Sequence, residues 1–159
     1  MKYNLDKEAR AESARAYFKQ GYNCCQSVAL AYADLIGMDK DAVAALASGF
    51  GGGFGRLREV CGCVSGMTMV AGAVLPSTDP GDSGRKTENY ALVQRLAGKY
   101  AEENGSIICR ELLGLSGKST SPESPAPSAR TGEYYRKRPC PELCACAARI
   151  IAEELNSQN

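Results

Sequence analysis

Eight cysteines, Cys24, Cys25, Cys61, Cys63, Cys109, Cys140, Cys144 and Cys146, are the residues of this sequence best suited to chemistry. A thiolate binds soft metals and attacks disulfides, so sulfur can act as ligand or as electron carrier. The sequence has no histidine. That excludes a Ser-His-Asp triad, a Cys-His dyad, a His-ligated zinc site and His-ligated haem. Eight cysteines in 159 residues is about 5%, below the roughly 8–10% of a short disulfide scaffold. The N-terminal stretch is charged and helix-forming, without an apolar run of signal-peptide type. Val60 to Leu75 leans apolar but is interrupted by three glycines and is too short to span a bilayer. The expectation is a cytoplasmic protein with no membrane insertion. In a reducing compartment this cysteine content points to metal ligation or redox chemistry before structural cross-links.

Spacing narrows the choice. No Cys-x-x-Cys occurs, which weighs against a thioredoxin-like site, a zinc ribbon and the usual ferredoxin run. A site must therefore be assembled from distant segments. Four cysteines fall where the sequence starts helices: Cys24 after the Asn23 cap, Cys61 near the start of a glycine-containing helix, Cys109 after Gly105-Ser106, and Cys140 before Pro141. The unpaired N–H groups and the dipole at a helix start favour thiolate over thiol. Converging helix starts would also offset the charge of an anionic iron–sulfur cluster. Cys25 and Cys63, next to or two residues from a chosen cysteine, are expected to point away from the site. Cys140 and Cys144 share a face if the last helix reaches Cys140. Cys25, Cys63, Cys144 and Cys146 are read as packing residues or thiols standing behind the ligands.

The elements that must position these sulfurs are helical almost throughout. The patterning predicts helices from Leu5 to Lys19, from Asn23 to Gly37, from Lys40 to Ser48 and from about Arg58 to Leu75. Two more run from about Arg85 to Glu103, with Tyr90, Val93, Ala97 and Tyr100 as its stripe, and from Pro141 to about Leu155. A short turn of helix covers Ile108 to Leu113. Gly49 to Gly55 is read as a flexible loop, and Ser116 to Pro139 as a long Ser/Pro-rich loop without secondary structure. No alternating strand pattern competes. The expected fold is all-α: one domain over residues 1–159, an irregular bundle of about six helices.

Other signals are weaker. Lys+Arg number 19 and Asp+Glu 18, a net charge of +1 that gives no reason to expect a nucleic-acid partner. The glycine loop lacks both the dinucleotide fingerprint and Gly-Lys-Ser/Thr, so it is not read as a phosphate loop. Arg56 and Arg58 behind it are expected to be solvated. Tyr134 to Arg138 form a small aromatic and basic patch, read as a solvated loop end.

Five stretches together resemble one family: Gly21-Tyr22-Asn23-Cys24-Cys25-Gln26-Ser27-Val28, Phe50-Gly51-Gly52-Gly53-Phe54-Gly55, Glu59-Val60-Cys61-Gly62-Cys63-Val64-Ser65-Gly66, Cys109-Arg110-Glu111-Leu112-Leu113-Gly114 and Arg138-Pro139-Cys140-Pro141-Glu142-Leu143. In order, they resemble the C_GCAxxG_C_C family of redox-active proteins, over roughly residues 5 to 155. The resemblance maps the family's four cysteines onto Cys24, Cys61, Cys109 and Cys140, and it sets Cys25 and Cys63 where the family commonly has alanine. A related domain occurs in split-Soret cytochromes, where an Fe–S centre accompanies haem. Without histidine or Cys-x-x-Cys-His, the haem does not carry over.

Three functions follow as expectations. The first is a cysteine-ligated metal site at Cys24, Cys61, Cys109 and Cys140, an Fe–S cluster with zinc as the alternative, serving electron transfer or redox sensing with a separate redox partner. The second is a metal-free thiol–disulfide redox protein. The third is a non-catalytic helical module that binds a partner or forms a homodimer.

Overall fold

The computed structural model of the protein describes residues 2–115 and 123–158. The described residues are all-α; they contain no strand, only an isolated antiparallel bridge between Val60 and Ile108. The Ser116 to Pro122 end of the anticipated long loop lies outside the described residues.

The first helix, α1 (Lys7–Lys19), starts where Asp6 accepts a hydrogen bond from the Ala9 amide at 3.0 Å. Its buried side chains, Ala11, Ala14 and Phe18, follow helical spacing and face the last helix, α10 (Cys140–Ser157). The expected second helix is two, α2 (Cys24–Leu30) and α3 (Ala33–Ile36), ended by left-handed Gly37. The break falls at Tyr32, whose ring is fully buried and whose hydroxyl donates to the Ala148 carbonyl at 2.7 Å. Tertiary placement of that ring overrides local helix continuity. Asp39 caps α4 (Lys40–Ala47), as its position in the sequence suggests.

The glycine segment is not a loose loop. After a 3₁₀ turn at Ser48–Phe50 comes α5 (Gly51–Phe54), a single turn broken by Gly52 and Gly53, both at φ 69°. The chain then folds back, with backbone bonds from Gly55 to Gly49, Arg58 to Gly52 and Glu59 to Gly53 at 2.9, 3.1 and 2.8 Å. This knot delays the next helix, α6 (Gly62–Val74), to four residues beyond the anticipated start. Cys61 therefore stands at its cap, outside the first turn.

Helix α7 (Ser83–Asn104) is capped by Asp82 and closed by left-handed Gly105. Its buried stripe is Leu92, Leu96 and Tyr100. Tyr90, expected on that stripe, is 60% exposed. A short helix, α8 (Cys109–Leu112), follows. A further one, α9 (Gly132–Lys137), lies inside the stretch expected to be irregular, where Thr131 accepts from the Tyr134 amide. The main core gathers Phe18, Val28, Tyr32, Met67, Leu96 and Ile151 between α1, α2, α6, α7 and α10. Each such side chain contributes about 1.5–3 kcal/mol by leaving water.

Candidate metal centre

Four local devices fix the four helix-start cysteines. Asn23 and Gln26 form a reciprocal capping box at 2.8 and 3.0 Å, which sets Cys24 as the first residue of α2. The Asn23 side-chain Nδ2 also donates to the Ser48 carbonyl at 3.0 Å, tying α2 to the glycine knot. The approach is so close that a Cβ on Gly51 would stand 2.6 Å from the Asn23 Cβ, so only glycine fits there. The Val60–Ile108 bridge joins the next two: the Cys61 amide donates to Ile107 and the Cys109 amide to Glu59, both at 2.7 Å. Gly53, at positive φ, lets the knot press on this pair; its Cβ would meet the Cys109 Cβ at 2.6 Å. Cys140 opens α10, with Pro141 in its first turn.

These four segments bring Cys24, Cys61, Cys109 and Cys140 to the wall of one cavity of about 380 Å³. Its apolar lining includes Phe18, Leu112, Leu143, Pro125 and Pro127. All eight cysteines are free thiols, and six are buried.

A second, tighter grouping lies behind Cys24. The sulfurs of Cys24, Cys63 and Cys144 all stand within 4.8 Å of one another, close enough to hold a metal ion. Cys63 donates to Cys144 at 3.6 Å, and the Cys144 sulfur lies 4.0 Å from the Cys24 carbonyl. The expectation that Cys63 points away is thus overturned. It assumed that Cys61 and Cys63 share a helix; because Cys61 has non-helical dihedrals at the cap, the chain turns between them and Cys63 comes round to Cys24. The i,i+4 pairing of Cys140 and Cys144 does bring Cys144 to the site edge, through the start of α10 at Cys140.

Cys25 does point away, into a separate apolar cluster with Val43 and Ala47, 3.7 Å from the Met69 sulfur. Burial pushes its thiol up to about 12. Cys146 is also apart, beside Glu103 at 3.0 Å and Asn104 at 3.5 Å.

The electrostatics set Cys24 apart. Hydrogen bonds from the Cys140, Cys144 and Cys63 thiols hold it well below the usual thiol range, with help from the Arg130 charge and against burial. The donors move the opposite way: Cys140 rises because it donates to Cys24, and Cys144 rises because it is buried. Cys61, hydrogen-bonded by Cys63 and 3.3 Å from the Tyr100 hydroxyl, is lowered. Burial raises Cys109, opposed by the Arg58 guanidinium 3.7 Å away. A sulfur-rich pocket with a favoured thiolate at Cys24, held by neighbouring thiols whose protons a bound metal would displace, suits a soft metal or sulfur redox chemistry.

Residues 22–154 match the family described as "Putative redox-active protein (C_GCAxxG_C_C)". The chain belongs to this family. No curated protein and no solved structure matches it. Among the described residues, no helix is long and apolar enough to cross a membrane.

Sequence reasoning missed five contributors to this family member's site. Cys63 and Tyr100 were hidden because their facing depends on where α6 begins and how α7 rotates. Arg58 is only 9% exposed, not solvated, because the knot turns it inward to Cys109 and Glu123. Tyr134 and Arg138 line the cavity from α9 and its end, so these two members of the aromatic and basic patch belong to the site, while Arg136 and Lys137 are exposed as expected. The regular Thr131-to-Lys137 cap-and-charge pattern was the signal available for that helix.

Proposed function

We propose that this is a cytoplasmic redox protein whose cavity holds a cysteine-ligated iron–sulfur cluster, used for electron transfer or redox sensing with a separate redox partner. Cys24, Cys61, Cys109 and Cys140 would be the ligands. The observation that carries this reading is that four cysteines from four distant segments open onto one cavity. Their spacing favours a cluster over a single ion. Among the described residues, the tight three-thiol set is Cys24, Cys63 and Cys144, and no three of the four cavity cysteines come within 4.8 Å of one another. A lone zinc would draw its ligands closer than that.

The donor set fits the group, because Cys24, Cys61, Cys109 and Cys140 are free thiols that line one cavity. When bound, a cluster supplies one-electron chemistry at thiolate-held iron. The chain's own residues prepare for it. The helix start at Cys24 and the thiols that donate to it favour its deprotonated sulfur. Arg58 donates to Cys109, and the Tyr100 hydroxyl faces Cys61. Phe18, Leu112, Leu143 and the two prolines give the cavity apolar lining beside the sulfurs.

Purification without oxygen, visible absorption, and iron and acid-labile sulfide analysis test this. Coloured protein with matched iron and sulfide is expected. Colourless protein that takes up neither on reconstitution would refute it, and zinc in elemental analysis would replace the cluster by a structural ion.

The 3.6 Å separation of Cys63 and Cys144 favours a second reading, a dithiol that closes to a disulfide. Closure releases two protons and passes two electrons to an acceptor such as a small-molecule disulfide. Mass mapping of metal-free protein equilibrated with oxidised dithiothreitol should then find the Cys63–Cys144 link; two unmodified thiols would remove that reading.

A further inference from the structure

The cavity is as notable for its charge as for its sulfur. Arg56, Arg58, Arg130 and Arg138 line it, while its described lining includes no aspartate or glutamate. One carboxylate approaches from outside: Glu123 pairs with Arg56 at 3.1 Å and with Arg58. Arg130 is occupied by the Phe18 and Tyr22 carbonyls and stacks on the Phe18 ring. Arg138 differs from the other three. Among the described residues its guanidinium has no hydrogen-bond partner; it lies over the Tyr134 ring at 5.6 Å.

The backbone adds an independent observation. Phe54, Arg56 and Arg58 all sit at positive φ, 73°, 65° and 61°. Left-handed conformation in a residue other than glycine costs about 1 kcal/mol or more each, and such strain persists where a site requires it. Here the strain turns two guanidiniums toward the cysteine cavity. The neutral Tyr134 hydroxyl, pushed up to about 12 by burial, adds a donor to the same wall. The cavity reaches solvent at Gly55 and Ser128, both exposed, and at about 380 Å³ it lies in the size range of small-ligand sites.

We propose that this chamber binds a small oxyanion, a carboxylate- or phosphate-bearing molecule, between Arg138 and the glycine knot and beside the cysteines. Guanidinium forks recognise such groups by paired charge-assisted hydrogen bonds, which are strongest where water is excluded. The inference deepens the reading of the cavity as a redox centre, because it names the charge class of the molecule admitted to the sulfurs.

The test uses the full chain freed of metal, titrated calorimetrically at low ionic strength with citrate and with pyrophosphate. Binding of at least one is expected, and the preferred probe tells carboxylate from phosphate. Arg138→Gln should weaken it about tenfold or more. Arg136→Gln, an equal charge change on the exposed side of the same helix, should weaken it less than about twofold. No binding of either probe, or equal weakening by both variants, overturns the proposal. Iron is measured on the same preparations before stripping. Iron present with neither anion bound defeats this inference alone, and anion binding without iron uptake defeats the metal reading alone.

Discussion

The two halves of α10 (Cys140–Ser157) handle buried polar groups in opposite ways. In the C-terminal half, Ile150, Ile151 and Leu155 pack in the main core, and the single buried acid, Glu154, is 4% exposed. Its carboxylate is fully answered by Arg95 at 2.6 Å and Lys99 at 2.5 Å. In the N-terminal half, Cys140 and Cys144 are just as buried, yet their partners are other thiols. One end is complete within the chain. The other presents a set of weak donors that a metal or a sulfur–sulfur bond would satisfy. A single helix thus carries the packing that holds the fold and the residues left over for chemistry.

That contrast predicts separable losses. The largest effect on stability belongs to the C-terminal half: Ile151→Ala should lower unfolding free energy by about 3 kcal/mol, read from urea titrations. Its metal content per folded molecule should match the parent protein. Loss of metal in that variant would show that the halves are not independent.

Next is the glycine knot, which serves the other end. At Gly53 an alanine would be held at φ 69° with its Cβ 2.6 Å from Cys109 and 2.8 Å from the Arg58 Cα. Gly53→Ala should cost about 2 kcal/mol through strain and displacement. Unlike the core variant, it should also reduce bound iron.

A smaller effect tests the satisfied acid. Burial opposes ionisation of Glu154, but Lys99 and Arg95 hold its carboxyl below the usual range. Because the folded value is depressed, the stabilisation is present above the unfolded value of about 4.3 and lost as pH falls through the folded one. Glu154→Gln should therefore cost about 1 kcal/mol at pH 7, limited by the half-exposed cations. The gap from the parent protein should close in urea titrations carried below about pH 4. A gap that persists there would mean packing, not charge, holds this position.

The smallest effect is expected at Cys25, which faces Met69 and the second apolar cluster. Cys25→Ala should change stability by within about 1 kcal/mol and leave iron and sulfide unchanged. A metal loss there would redraw the boundary between packing and ligating sulfurs.

Much of this division was legible in the residues. Asn23 and Asp39 announced their helix starts because short polar side chains cap backbone amides. The same logic singled out Cys24, Cys61, Cys109 and Cys140, which the fold brings to one cavity. What was not legible depends on contacts between distant segments. The register of α6 hinges on the left-handed knot at Gly52 and Gly53, and with it the facing of Cys63. The split of the second helix follows from the Tyr32 hydroxyl reaching Ala148. Arg58 could not be read as buried until Cys109 and Glu123 were placed around it.

The most direct measurement maps which sulfurs the centre protects. Protein purified without oxygen is alkylated before and after a strong chelator, and each cysteine is quantified by mass spectrometry. The account predicts that Cys24, Cys61, Cys109 and Cys140 become reactive together only after chelation, while half-exposed Cys146 is labelled in both cases. Labelling of the four that is unchanged by chelation would contradict it.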